Sequence, residues 1–416
     1  MGGRWFMSKE VKNLIVGLDI GTSKIVAIVA ELTPEGRLEI LGLGTHQESR
    51  GLKKGVVVNI EATVNAISRV IQEVELMADC KVKEVYTGIA GSHIKSFNSN
   101  GMVAIKDKEV SPMDVDRVIE TARAMPIPSD QQILHILTQE FIGDGQDGVR
   151  EPIGMSGVRL EVRTHIVTGA VSAAQNIVKC VRRCGLEVVD LVLQPLASSY
   201  AVLTEDEKDL GVCLVDIGGG TTDIAVFTQG AIRHTAVIPV AGDQITSDIA
   251  HYLRTPTSEA EDIKIRHGVA LQQLADPGEV FEVPGIGERG PRPLSRLALA
   301  DVIEPRVTEL FELIQSELKR SGYQDLLSSG IVLSGGSSVM RGMVELGEEI
   351  FHMPVRLGMP KYAGSLSEVV QHPRYATAMG LLLEGMAQKK RGIQAHRTRT
   401  FKQVLGNMKS WFEKNF

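Results

Sequence analysis

The sequence predicts an α/β protein built from two related lobes. Three observations point to it. The stretch LIVGLDIGTSKIVAIV at 14–29 returns about half a chain later as VCLVDIGGGTTDIAVF at 212–227. In both, an apolar strand ends in Asp-Ile-Gly, a Gly/Ser/Thr turn follows, and a second apolar strand leaves the turn. A third glycine-rich element, LSGGSSVMRGM at 333–343, closes the second half. Between these landmarks, apolar runs of strand length alternate with segments of helical periodicity, as in α/β folds.

The elements follow in order. Each half begins with a hairpin whose turn glycine holds open. Residues 60–76 repeat apolar side chains at helical spacing, and 84–90 reads as a strand. From 91 to 167 the pattern changes, with NSNG, IKDKEV and the loop GDGQDG, so this stretch reads as an inserted subdomain. Ser111, followed by Pro112 and Asp114, marks a helix start. The α/β pattern then resumes. SAAQNIVKCVRRCG is a helix with Ser172 as its cap and Gly185 just past its end. EVVDLVLQP is a buried strand, and a helix begins at Leu196. The second lobe starts near Leu210 and carries its own insertion at 242–300, with the loop VPGIGERGPRP. A long helix is expected over 302–321, ahead of the strand and turn GIVLSGGSSVM. QKKRGIQAHRTRT, with six basic residues and no acidic one, reads as a linker before the terminal TFKQVLGNMKSWFEKNF. The divisions are thus 1–90 with 168–208, 91–167, 209–241 with 301–387, 242–300, 388–399 and 400–416.

Composition narrows the function. The chain has 416 residues, 43% of them apolar and 23% charged, and a net charge of −6, which argues against general nucleic-acid binding. Of four cysteines, Cys180 and Cys184 lie one helical turn apart, but no further ligand stands near enough in sequence for a zinc site, and buried thiols in a reducing compartment are expected. No apolar run is long enough for a transmembrane helix, and MGGRWFMSKE is too short and polar for a signal peptide. Either Met1 or Met7 serves as the start. The expected location is the cytoplasm, with any membrane contact left to the tail. There Phe401, Val404, Leu405, Met408, Trp411 and Phe412 fall on one helical face, flanked by Lys402 and Lys409. Such a helix either docks on the protein's own core or lies in a membrane surface.

The paired turns suggest a nucleotide clamp. Backbone N–H groups at Gly21, Thr22 and Ser23, and at Gly218, Gly219, Gly220 and Thr221, can point at phosphate oxygens, with glycine allowing close approach and unusual φ/ψ. Hydroxyls of Thr22, Ser23, Thr221 and Thr222 add donors, and Lys24 adds charge. Asp19 and Asp216 end the two strands, where their carboxylates can hold Mg²⁺ through its waters. Gly335 and Gly336 leave room for a flat ring, beside Ser337. Glu261 and Lys264, three apart, share one helix face.

These three elements, in this order, resemble the phosphate and adenosine motifs of the actin/Hsp70/sugar-kinase superfamily. VGLDIGTSK, LASSYAVLTEDEKDLGVCLVDIGGGTTDIAVF, VIPVAGDQITSDIA, EAEDIKIRHG and GIVLSGGSSVM together resemble FtsA, the actin-like family of bacterial cell-division proteins, over nearly the whole chain. The resemblance implies an actin-like two-lobed ATPase fold with duplicated RNase H-like cores, 91–167 being the FtsA-type inserted subdomain. It implies ATP and Mg²⁺ as cofactors, with Gly21, Thr22, Ser23, Lys24 and 218–222 at the phosphates. Glu261, Lys264, Gly335, Gly336 and Ser337 are then at the adenosine, and Asp19 and Asp216 on the metal side. Gln194 takes the position of a water-orienting residue in an ATPase that is at most weak. The implied partners are the protein itself in a filament, the FtsZ C-terminal peptide on the second-lobe insertion, later division proteins on the inserted subdomain, and anionic lipid under the tail. Arg292 and Arg296 are candidates for the acidic FtsZ peptide. The family role is tethering FtsZ filaments to the cytoplasmic face of the inner membrane at the septum. The alternatives are a pilus-assembly platform protein of the same fold and a small-molecule kinase. The kinase lacks an acceptor motif here, and neither uses a terminal amphipathic helix. An Hsp70 chaperone needs a β-rich domain for which too few residues remain.

Overall fold

The computed structural model describes residues 13–47, 51–287 and 290–391. The first lobe opens with strands β1 (Leu14–Ile20), β2 (Lys24–Leu32) and β3 (Leu38–Gln47), a two-residue-stranded hairpin β4 (Leu52–Lys53) and β5 (Val56–Val57), helix α1 (Ile60–Ala78) and β6 (Glu84–Ile89). The insertion holds β7 (Lys95–Ala104), α2 (Pro112–Arg123), β8 (Gln131–Gly143), β9 (Gln146–Val149) and β10 (Arg159–Ala170). The first lobe resumes with α3 (Val171–Arg183), β11 (Glu187–Leu193), α4 (Gln194–Val202) and α5 (Glu205–Leu210). The second lobe follows with β12 (Val212–Ile217), β13 (Thr222–Thr228), β14 (Ala231–Ile238), α6 (Gly242–Leu253), α7 (Thr257–His267), β15 (Val280–Val283) and β16 (Arg292–Ser295). It ends with α8 (Arg296–Ser321), β17 (Ile331–Ser334), α9 (Met343–Phe351), β18 (Val355–Leu357), α10 (Ser367–Val370) and α11 (Ala376–Arg391).

The duplication read in the sequence is a duplication of topology. The first sheet has the order β11-β6-β1-β2-β3, and the second β14-β13-β12-β17-β18. In each, the strand ending in Asp-Ile-Gly is central. β1 pairs antiparallel with β2 and parallel with β6, and β12 pairs the same way with β13 and β17. Both central strands are buried on both faces, which explains their unbroken apolar runs. On one face of the first sheet, α1 buries Ala66, Ile67, Val70, Ile71 and Val74. On the other, α11 packs so closely that a Cβ on Gly17 would meet the Ala378 carbonyl at 2.6 Å.

Most expected helices and strands stand where the pattern placed them. α1 is capped by Asn59, whose side chain accepts from the Ala62 N–H at 3.1 Å. Ser111 and Asp114 cap α2 reciprocally at 3.3 and 3.0 Å. Four boundaries differ, the smallest being α4, which starts at Gln194 and not at Leu196. Ser172 caps nothing: α3 begins at Val171, because β10 keeps its ladder through Ala170 and the Val171 N–H is met by the Asp130 carbonyl. The long helix starts at Arg296, capped by Ser295, so Pro305 lies inside it. α11 continues through Gln388–Arg391, where a linker was expected, and Gln388 is buried with its amide on Asp190. The rest of that linker and the tail residues Phe401, Lys402, Val404, Leu405, Met408, Lys409, Trp411 and Phe412 lie outside the described residues. Among the described residues, no helix is long and apolar enough to cross a membrane.

The insertion forms a four-stranded sheet, β7-β10-β8-β9, covered by α2. It leans on the edge strand β14 of the second lobe. Ser96 donates to the Thr235 carbonyl at 3.0 Å and Gln139 to the Ile232 carbonyl at 2.9 Å. His165 is fully buried there, with Nδ1 on the Asn98 side-chain oxygen at 2.8 Å and Nε2 on the Thr235 hydroxyl at 3.0 Å. Burial, with His234 nearby, lowers its pKa to about 4. A first-lobe insertion therefore covers a sheet edge that would otherwise expose unpaired backbone groups.

Candidate functional site

Because β1 and β12 are central and point the same way within their sheets, their C-terminal ends bring the two glycine turns to one cleft of about 620 Å³ between the lobes. The turns touch across it. A Cβ on Gly219 would lie 1.6 Å from Ser23 Oγ, and one on Gly220 2.8 Å from Thr22 Oγ1. Neither Gly21 nor 218–220 has positive φ, so close approach alone requires glycine there, not unusual backbone angles. The N–H groups of Gly21 and Gly218 close their own hairpins, donating to the carbonyls of Lys24 and Thr221 at 3.0 Å each. That leaves the N–H groups of Thr22, Ser23, Gly219 and Gly220 without partners among the described residues, in turns that line the cleft. Gly335 does need its backbone freedom, with φ of +85° and a Cβ that would meet the Ile217 carbonyl at 2.4 Å.

The floor of the cleft is a charge cluster. Asp19 and Asp216 are buried, and Gln194, the first residue of α4, donates to Asp19 Oδ1 at 3.1 Å. Ser198 donates to Asp216 Oδ2 at 2.5 Å. Burial lifts the Asp19 carboxyl above its usual range; Lys24 opposes this and Asp216 adds to it. Burial also raises Asp216, against the hydrogen bond from Ser198 and the charge of Lys24. Lys24 is pushed down by burial, with Asp19 opposing and Arg374 assisting. Its ammonium donates to the Arg374 carbonyl and stands 5.2 Å from the Tyr375 ring centre. A third carboxylate, Asp223, shares this floor. It accepts from Thr221 Oγ1 at 3.2 Å, while its Oδ1 is buried with no partner. Burial first, then Asp216, raises its pKa to about 8.

The opposite end is built by α7 and the Gly336–Val339 turn. Lys264 is buried and donates to Glu261 at 2.6 Å, Thr246 Oγ1 at 2.8 Å and the Gly242 carbonyl at 3.1 Å. Ser337 donates to the Gly218 carbonyl at 2.8 Å, tying the third glycine element to the second. Ser23 crosses the cleft to Asp243 at 3.2 Å.

The fold thus brings together Asp19, Gly21, Thr22, Ser23, Lys24, Gln194, Asp216, 218–221, Glu261, Lys264, Gly335, Gly336 and Ser337. Thr222 is the exception. It is the first residue of β13, buried, and its hydroxyl donates to the Val240 carbonyl at 2.8 Å, away from the cleft. Arg292 and Arg296 are engaged locally, Arg292 on the Leu253 carbonyl at 2.7 Å and Arg296 on Glu279 at 2.5 Å. The sequence reading missed Asp223, Arg374, Tyr375 and Thr377. Only Asp223 had a signal: it follows Thr222 in GGGTTD, and strand alternation turns it to the same side as Thr221. Asp19 and Asp216 are hard oxygen donors of the kind Mg²⁺ takes through its waters, and among the described residues no three such side chains converge as direct metal ligands.

The cleft lies within residues that match known proteins. The family model described as "Cell division protein FtsA" matches residues 213–380, and that of the "SHS2 domain inserted in FTSA" matches residues 91–168. The chain is 60% identical over 416 residues to the "Cell division protein FtsA" of Pseudomonas aeruginosa, covering 98% of this chain and 100% of that protein. The chain belongs to the FtsA family of cell division proteins. FtsA of Escherichia coli strain K12 is 44% identical, covering 97% of this chain and 99% of that one. Among solved structures, the type IV pilus complex PilM–PilN is similar with a TM-score of 0.65 at 20% identity, over 89% of this chain and 98% of that one. MreB5 of Spiroplasma citri bound to AMPPNP gives 0.56 at 15% identity, over 94% and 100%. These likenesses establish the actin-like fold of the chain, and the FtsA relatives separate it from the type IV pilus complex that shares that fold.

Proposed function

We propose that this actin-like division protein binds ATP with Mg²⁺ in the cleft, polymerises, and tethers FtsZ filaments to the cytoplasmic face of the inner membrane. The observation that carries the nucleotide reading is the convergence of all three glycine elements on one cleft. Free N–H groups of both turns hold the phosphates, helped by Lys24, and Gly335 and Gly336 give the base a flat wall beside Glu261, Lys264 and Ser337. Asp19 and Asp216 hold the water shell of Mg²⁺, which supplies charge neutralisation at the phosphates. Gln194, fixed on Asp19, orients water for at most slow hydrolysis. Replacing Ser198 with alanine removes the hydroxyl that orients Asp216, and calorimetry is expected to read about tenfold weaker Mg²⁺–nucleotide binding.

The membrane part rests on the tail. One amphipathic helix with a few basic neighbours, each worth about 1 kcal/mol near an anionic leaflet, binds weakly and reversibly. A filament aligns many tails, and each later one attaches at high effective concentration. The second-lobe insertion takes the FtsZ C-terminal peptide, and the inserted subdomain takes later division proteins. The test is vesicle flotation with ATP, comparing the full chain with one ending at Arg391, which keeps α11 intact. Only the full chain is expected to float, better on anionic than neutral vesicles and better with ATP than without. Equal flotation of both chains, or of neither, overturns the tether.

A further inference from the structure

The cleft holds a cation that the nucleotide reading above leaves unused. Arg374 belongs to the short turn Pro373–Tyr375 just before α11, and lines the cleft. Its backbone is fixed: its N–H donates to His372 Nδ1 at 3.2 Å, and its carbonyl accepts from the Lys24 ammonium. Its Cβ lies 3.9 Å from where a Cβ on Gly336 would stand. The residue therefore sits between the glycine wall at one end and the Lys24–Asp19–Gln194 cluster at the other. Among the described residues its guanidinium has no ion-pair partner, unlike Arg296 beside Glu279. Its charge is felt by Lys24 and by His372, both of which it makes harder to protonate. Both cations line the cleft, and Lys24 also feels the charges of Asp19 and Asp216.

We infer that Arg374 binds the terminal phosphate of the nucleotide opposite Lys24, so that this pair of cations separates a nucleoside triphosphate from a diphosphate. This rests on the nucleotide reading of the cleft. An anion between the two cations removes their mutual repulsion and gains charge-assisted hydrogen bonds, and guanidinium geometry suits a phosphate. A diphosphate held by the hairpin N–H groups lacks the group that would reach between them. The side chain has no structural partner to lose, so its replacement leaves the fold unchanged.

The test measures binding of fluorescent ATP and ADP, each with Mg²⁺, to the full chain and to Arg374→Ala and Arg374→Lys, with thermal unfolding of each as a control. For Arg374→Ala, ATP affinity is expected to fall about tenfold and ADP affinity less than about threefold, at unchanged melting temperature. Arg374→Lys recovers part of the ATP affinity, since it restores charge but not the planar fork. Equal losses for both nucleotides, or none, overturn the role of Arg374 while leaving the cleft a nucleotide site. Failure of the unmodified chain to bind either nucleotide overturns the site reading itself, and Arg374 with it.

Discussion

Gly335→Ala is expected to destabilise the protein by about 3–5 kcal/mol. At φ +85° and ψ 169°, the residue occupies backbone space essentially reserved for glycine. A methyl there would also meet the Ile217 carbonyl oxygen at 2.4 Å, its carbon at 2.7 Å and Asp216 Oδ1 at 2.5 Å. Relief by backbone movement is blocked, because β17 and β12 pair through Ser334 and Asp216 immediately alongside. The same methyl displaces the Asp216 carboxylate, so whatever folds should also lose nucleotide binding. Gly336→Ala is the control. Its nearest neighbour would be the Arg374 Cβ at 3.9 Å and its φ is ordinary, so its cost should stay within about 1 kcal/mol. Urea unfolding of the two variants side by side decides it. Similar costs for both would show that the contact with β12 does not constrain the loop.

The second large effect is with pH. His165 is neutral in the fold, its Nδ1–H donating to Asn98 and its Nε2 accepting from Thr235. Its folded pKa of about 4 lies below the unfolded value near 6.5, so the unfolded chain binds the proton first. The stability this histidine contributes is fully present above pH 6.5 and is lost as pH falls through that value toward 4. The size is on the order of 3 kcal/mol for a group this buried. The surrounding charges are themselves compensated: His234 is paired with Glu317 at 2.7 Å and Arg163 with Glu140 at 2.8 Å. Comparing the full chain with His165→Gln from pH 7.5 to 4.5, the stability gap should shrink by about that amount. A constant gap would mean that His165 titrates normally. Because the residue joins the inserted subdomain to β14, hydrogen exchange in that subdomain should rise first on acidification.

Much of this architecture was legible because it repeats. Two Asp-Ile-Gly hairpins and a third glycine pair survive as sequence patterns, since each strand is buried on both faces and each turn has to pass close to another. The inserted subdomain showed itself as a change of pattern at Gly91, and the family model for it spans 91–168 against the 91–167 read from sequence. What escaped has physical causes. Arg374 and Tyr375 reach the cleft from the turn before α11, and Thr377 from its first turn, by a tertiary contact that no local periodicity records. Thr222 looked like its neighbour Thr221, but strand alternation turned it to the opposite side. Ser172 had the right chemistry for a cap in a place where a continuous ladder left no loop to cap. Glycine at 218–220 was read as allowing close approach and unusual backbone angles; the angles are ordinary, and the close approach in the structure is between two loops distant in sequence.

The seating of α11 has a mechanical consequence. The helix that leads to the tail is buried along Ala376–Leu382, and Lys389 near its end donates to the Leu14 carbonyl at 2.8 Å. If the tail is the tether proposed above, a pull on it reaches β1, the strand that carries Asp19, through this contact. The buried face of α11 and the Lys389 contact then share that load. The root of the tail should be among the last parts of the first lobe to give way under force, and strain on it is carried straight to the floor of the cleft.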